Sequence, residues 1–364
     1  MAGLSILAAA GLVWWAMRPD PADARLEISR EPVPDDFVGA RACRECHPGE
    51  HAAHGGSGHA RTLRPAATIA LTKWLDGRHE ADPEQPAVRW DYAVEEGRLG
   101  VTRVEAEDSR RFEFDYALGS GKHAITFMSW DGDGPGPRGG LEHRLTYFAH
   151  ANAMRVTPGQ EAPNSEPGLS PEGFHVPPNV MRDCLSCHAT RTSAAGPRVV
   201  DPKTLIPNVS CERCHGPGRS HVEAARRSAP PSELVMAFAG RGDAASEVRM
   251  CGRCHRLPEM VPPDSIRPDS AMLARFPSVG LMQSECFVKS KGTMRCTTCH
   301  DPHARTATEA APYEKACLSC HDQASRKLCS VNPRDGCVGC HMPKRDVGHG
   351  LMFTDHWVRK DAAK

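Results

Sequence analysis

The chain has 364 residues, 45 Lys and Arg against 45 Asp and Glu, and 32 Gly, 31 Pro and 16 Cys. Aromatic side chains make up only 5%, which argues against a large side-chain core built by the polypeptide alone. The neutral charge balance, without a basic run, argues against a nucleic-acid partner.

From the N-terminus, Ala2 to Met17 is an uncharged apolar stretch closed by Arg18. It is short for a membrane span and resembles a signal-peptide core or a short signal anchor, though no basic segment precedes it. Trp14 and Trp15 suit a membrane interface and favour an uncleaved N-terminal membrane anchor over a cleaved signal. Residues 18–37, rich in Pro and charge, then read as a linker. The expected localisation is periplasmic or otherwise extracytoplasmic.

The first of seven C-x-x-C-H motifs follows in a module spanning 38–75: Cys43, Cys46, His47. The others are Cys184/Cys187/His188, Cys211/Cys214/His215, Cys251/Cys254/His255, Cys296/Cys299/His300, Cys317/Cys320/His321 and Cys337/Cys340/His341. Chance at this Cys and His content would supply roughly 0.04 copies. Two thiols one short turn apart reach the two vinyl groups of a porphyrin, and the adjacent His lies beneath its iron. Zinc fits poorly, because a closed site takes four ligands and each unit here ends in a single His. Disulfides fit poorly too, since Cys residues two apart rarely bridge outside redox motifs. The expected cofactor is c-type haem, seven copies covalently bound, which would supply the apolar mass that the composition lacks.

Residues 76–175 hold no motif. Val88–Tyr92, Gly100–Glu105, Arg111–Tyr116, His123–Met128 and Arg144–Phe148 partly alternate apolar with polar side chains between turns such as Asp131-Gly132-Asp133-Gly134. They predict a small antiparallel β insertion. Haems two to four fall in 176–260, a connecting segment covers 261–295, and haems five to seven occupy 296–364.

A six-coordinate haem needs a second axial ligand, and twelve His remain. His59, His221, His303, His349 and His356 are the best candidates, each closely following a motif. His123 and His175 come next, then His150, while His51, His54, His79 and His143 read as solvated. No Met sits in a context that competes with these imidazoles. Cys286 and Cys329 lie outside the motifs and are expected to form a disulfide in an oxidising compartment.

The strings SGHA (57–60), CERCHGPGRSH (211–221), CTTCHDPH (296–303), CVGCHMPKRDVGH (337–349) and FTDHW (353–357) resemble the cytochrome c-554-related multihaem family. That resemblance implies an exported protein, mostly α with extensive loops, wrapped around stacked bis-His haems. It matches His59, His221, His303, His349 and His356 to distal-ligand positions. The type member carries four haems, against seven motifs here. The wider superfamily includes proteins resembling pentahaem nitrite reductase and hydroxylamine oxidoreductase. No C-x-x-C-K motif occurs here, and none of Tyr92, Tyr116, Tyr147 and Tyr313 adjoins a motif.

The expected function is electron transfer through bis-His haems. Redox proteins or a membrane quinol-oxidising complex are the expected partners. The alternative is an oxidoreductase with one open iron acting on a small nitrogen or sulfur compound, with His123 or His150 as acid–base groups. A subunit role in a larger complex is the third reading.

Overall fold

A computed structural model describes residues 36–132, 138–236, 242–321, 329–332 and 334–360. The expected anchor (1–17), nearly all of the linker, and Asp133-Gly134 of the predicted turn lie outside them.

Two short helices come first, α1 (Ala40–Arg44) and α2 (Pro48–Gly55). Strand β1 (Leu63–Pro65) and helix α3 (Ala70–Leu75) lead into a run of strands. These are β2 (His79–Ala81), β3 (Val88–Glu95), β4 (Arg98–Glu105), β5 (Asp108–Phe114), β6 (Tyr116–Leu118) and β7 (Ala124–Trp130). After them come β8 (Gly140–His143), β9 (Leu145–Phe148), β10 (Ala153–Val156), β11 (Leu169–Ser170) and β12 (Gly173–Val176). Strands β2 to β5 form a four-stranded meander; an eight-stranded sheet runs β1-β6-β7-β8-β12-β11, with β9 pairing β7 and β10. The strands form for the usual reason: in β3, Val88, Trp90 and Tyr92 point inward at period two. Glu96 and Gly97, both at positive φ, close the two-residue turn to β4.

The expectation of a mostly α fold with a small β insertion is overturned. The strands run from Leu63 to Val176, and all the named pairings are antiparallel. The composition misled because the few aromatics are concentrated here. Trp90, Tyr92, Phe114 and Phe127 are buried in one core with Leu99 and Leu145. Beside them Arg144, fully buried, donates to the fully buried Asp82 carboxylate at 2.6 Å. His143, expected to be solvated, is instead a buried core residue whose Nε2 meets the Tyr92 hydroxyl at 2.8 Å.

Beyond Val176 the chain is helical and loop-rich. It contains α4 (Pro178–His188), a short ribbon β13 (Ala189–Arg191) with β14 (Ile206–Pro207), α5 (Cys211–His215), α6 (Arg219–Arg226) and α7 (Ala244–His255). Then come α8 (Pro277–Gln283), α9 (Glu285–Lys289), α10 (Ala311–His321), α11 (Cys337–His341) and a hairpin of β15 (Lys344–Asp346) with β16 (Met352–Thr354). Helices α1, α2, α9, α10 and α11 bury none of their own residues. An element with no buried face gains nothing from packing, so these helices need another apolar body against them. Among the described residues, no helix is long and apolar enough to cross a membrane.

Candidate functional site

Five motifs end helices: His188, His215, His255, His321 and His341 are the last residues of α4, α5, α7, α10 and α11. A helical turn puts the two Cys, three apart, and the following His on one face, as attachment to one porphyrin requires. Three imidazoles are held in one tautomer. The Nδ1 atoms of His188, His341 and His356 donate to the carbonyls of Thr62 (3.0 Å), Arg359 (2.9 Å) and Thr354 (2.9 Å). Each Nε2 is thereby left as the metal-binding atom.

Four proximal imidazoles face a second one. The ring centres of His47 and His221 are 6.4 Å apart, and those of His59 and His255 are 6.1 Å apart. His215 and His303 stand at 6.0 Å, nearly parallel at 8°, and His300 and His356 at 6.1 Å. Two imidazoles gripping one iron through bonds of about 2 Å put their centres roughly 6 Å apart. The spacing fits haem iron. Burial drives the pKa of both His255 and His356 down to about 4, and lowers those of His59 and His300. All four are therefore neutral near pH 7, as ligation requires.

The motifs also touch one another. The Cys43 thiol neighbours that of Cys211, the Cys187 thiol that of Cys254, and the Cys251 thiol that of Cys296. Cys214 lies in the field of Cys251, Cys299 in that of Cys320, and Cys317 in that of Cys337. Thioethers would replace these thiols in a haem protein, but the adjacency would stay. Cys340, an expected attachment point of the seventh haem, departs from this pattern. It is exposed, and among the described residues no thiol of another motif pairs with it as Cys317 does with Cys337. The reason is local: α11 buries none of its own residues, so no protein surface covers the thiol that follows Cys337 by one turn. Cys46 and Cys299, the second Cys of the first and fifth motifs, are exposed as well.

Two buried glutamates hold the arrangement. Glu212, inside the third motif, accepts from the backbone N–H groups of Val38 (2.9 Å), Gly39 (2.8 Å) and Gly218 (2.9 Å), tying the first motif's entry to the third. Glu247 accepts from Thr297 N (2.9 Å) and Oγ1 (3.1 Å), tying the fourth motif's helix to the fifth. Sequence reasoning missed both. A Glu within or just before a motif carries no signal until its distant partners are known.

The other predicted ligands are placed differently. His349 stacks on Phe148 at 6.2 Å with its Nε2 3.5 Å from Glu161. His123 stacks on Phe353 at 4.3 Å, His150 packs edge-on to Phe148 at 5.8 Å, and His175 is exposed on β12. None of these four faces a proximal His in a ring pair. His54, expected to be solvated, is half-buried in the fields of His59 and His303. His79 is exposed and pairs with Asp91 at 2.6 Å. Tyr313, set aside from sequence, lies with its ring 5.3 Å from that of His300. Cys286 and Cys329 are both free thiols, so the expected bridge is not formed. Cys286 instead lies in the field of Cys320, on the side of the fifth and sixth motifs.

Comparison with known proteins adds to this geometry. The family model for cytochrome c554 and c-prime matches residues 144–216. The dissimilatory sulfite reductase MccA of Wolinella succinogenes is 24% identical, over 85% of this chain and 51% of its own length. Cytochrome c-554 of Nitrosomonas europaea is 31% identical over 20% of this chain and 34% of its own. The chain thus spans about half, or less, of the curated relatives it matches. Among solved structures, the outer cell wall cytochrome OcwA aligns over 89% of this chain and 80% of its own, with a TM-score of 0.49 and 15% identity. The sequence matches support a multihaem c-type cytochrome with covalently bound haem and a redox or electron-transfer role.

Proposed function

We propose that the chain is an exported cytochrome that holds seven c-type haems and passes electrons along them between redox partners. The supporting observation is the set of four imidazole pairs at 6.0–6.4 Å, because an iron closed on both faces exchanges electrons but not ligands. Each haem, when bound, supplies a one-electron couple. The chain's own residues set which sites adjoin. Thiol neighbours run from the first motif to the third, then through the fourth, fifth and sixth to the seventh, with the second joining at the fourth. Haem attached in this order would form one continuous conduit with a side branch. A redox protein or a membrane quinol-oxidising complex outside the cytoplasm would supply or accept the electrons.

A second reading has its own observation. His188, His321 and His341 face no second imidazole in a ring pair among the described residues. An iron open on one side there would act on a small sulfur or nitrogen compound, in keeping with a relative named as a sulfite reductase. An electron paramagnetic resonance spectrum of the oxidised protein, with haem quantification, separates the two. Seven haems with only low-spin signals favour the conduit alone. A high-spin component in the intact protein favours the open iron.

A further inference from the structure

Glu142 lies on β8 between two cross-strand neighbours, Met128 of β7 and Phe174 of β12. Directly paired residues share a face of the sheet. Met128 and Phe174 belong to the apolar cluster that also packs Met181, Cys184 and Leu185 of α4. Glu142 therefore points to the side of the sheet that the second motif covers. It is set deep among protein atoms yet not sealed from water.

Its one side-chain partner is an amide. Gln160 Nε2 donates to Glu142 Oε2 at 3.2 Å, and no cation forms an ion pair with this carboxyl among the described residues. The charges around it are spent elsewhere. Glu172, beside β12, pairs with Arg110 at 2.7 Å; Asp183 of α4 pairs with Arg182 at 2.7 Å; Arg144 pairs with Asp82. His175 on β12 is exposed, Glu161 follows Gln160, Asp115 and Tyr116 lie across β7, and β7 itself carries no titratable residue. Gln160 Oε1 is buried with no hydrogen-bond partner. An amide in this position serves both states of the acid: its N–H donates to the carboxylate, and its oxygen, after a flip, accepts from the protonated form.

We propose that Glu142, supported by Gln160, takes up a proton when the haem attached at Cys184 and Cys187 gains an electron. This rests on reading that motif as a haem site. The haem held there would supply a one-electron couple, its electron coming from a one-electron donor protein by way of the neighbouring haems. One proton passes from water to a Glu142 carboxylate oxygen, and no bond between heavy atoms changes. Burial, opposed by the Gln160 hydrogen bond, pushes the carboxyl up to about 7, so both protonation states are accessible near neutrality. The Cys184 thiol, raised to about 12 chiefly by burial, also feels the Glu142 charge, which puts the two groups within electrostatic reach.

The test is a spectroelectrochemical titration of the holoprotein across about two pH units on each side of that carboxyl's value, with haem mapped by peptide mass. One haem potential should fall as pH rises through neutrality, by up to about 59 mV for each tenfold change in proton concentration. In Glu142→Gln, with haem content unchanged, that slope should vanish. An unchanged slope overturns the proton role. Absence of haem on Cys184 and Cys187 overturns the site reading beneath it, and the mass map tells the two failures apart. Should the variant not fold, redox-difference infrared on native protein with isotope-labelled glutamate takes its place. A protonated-carboxyl band gained on reduction supports the proposal, and its absence refutes it.

Discussion

Replacing Glu212 with Ala should loosen the first motif from the third. Glu212 is 2% exposed and receives three backbone N–H groups at 2.8–2.9 Å. A hydrogen bond to a charged acceptor contributes about 1.5–3 kcal/mol, so three set a ceiling of roughly 4.5–9 kcal/mol. The ceiling is not reached. Val38 and Gly39 are partly exposed, and water can take over their N–H groups, whereas that of Gly218 is buried and keeps its full cost. A loss of about 2–4 kcal/mol is the expected outcome. Gln at this position keeps the two bonds to Oε1 but turns an NH2 group toward the Gly39 N–H, so it should lose about half as much. The functional readout is separate. The clamp ties the first motif, whose His47 stands opposite His221, to the third, so the Ala variant should show a high-spin signal from the one haem this pair would hold. Denaturant unfolding and electron paramagnetic resonance measure the two effects. An Ala variant within about 0.5 kcal/mol of the parent, and entirely low-spin, would refute the clamp.

His303→Ala should leave covalent haem content unchanged and turn one haem high-spin, whereas His175→Ala, at an exposed position of β12, should not alter the spectrum; an entirely low-spin His303→Ala protein would remove the pairing with His215. Asp82→Asn should cost up to about 3–5 kcal/mol in thermal or denaturant unfolding, because it leaves the buried Arg144 charge only the partly exposed Glu84 carboxylate at 3.0 Å. Burial alone would raise Asp82, but the Arg144 hydrogen bond and its other partners hold it below the usual carboxylate range. Its stabilisation is therefore full above the unfolded value of about 3.9 and drains away as pH falls through the lower folded value, a loss that Asp82→Asn should not show in an acid titration. Thiol titration of the unfolded holoprotein without reductant should count Cys286 and Cys329 as free, and a count of zero would restore the bridge.

The attachment turns were legible because their chemistry is local: two Cys and a His on one helical turn need no knowledge of the rest of the chain. The distal ligands were legible as residues but not as partners. His221 follows the third motif yet faces His47 of the first, and His303 follows the fifth yet faces His215 of the third. His59 follows the first and faces His255 of the fourth, while His356 follows the seventh and faces His300 of the fifth. In these four cases the His faces the imidazole of a different motif from the one it follows in the chain. The β region was underestimated for a different reason. Aromatic content averaged over the chain hides a local concentration, and His143 looked solvated because its strand, Gly140–His143, is too short to show a period. Only the pairing of β8 with β7 and β12 turns it inward.

These crossed pairs divide the molecule by how each part becomes stable. The β region carries its own apolar core and a buried ion pair, so side-chain packing can hold it. Helices α1, α2, α10 and α11 bury nothing of their own, so they gain little from side-chain packing. A ligand that grips His47 and His221 closes a loop of well over a hundred residues. The entropy of that closure falls on the unfolded chain and grows only slowly with length. Each iron bound across such a pair would therefore stabilise the fold as well as add a redox centre, which couples haem loading to folding in the helical part. Glu212 and Glu247 tie the same neighbouring motifs together through hydrogen bonds, so the first–third and fourth–fifth junctions are held by protein contacts as well. Glu142, whose charge Cys184 of the second motif feels, accepts from Gln160 and ties no neighbouring motif.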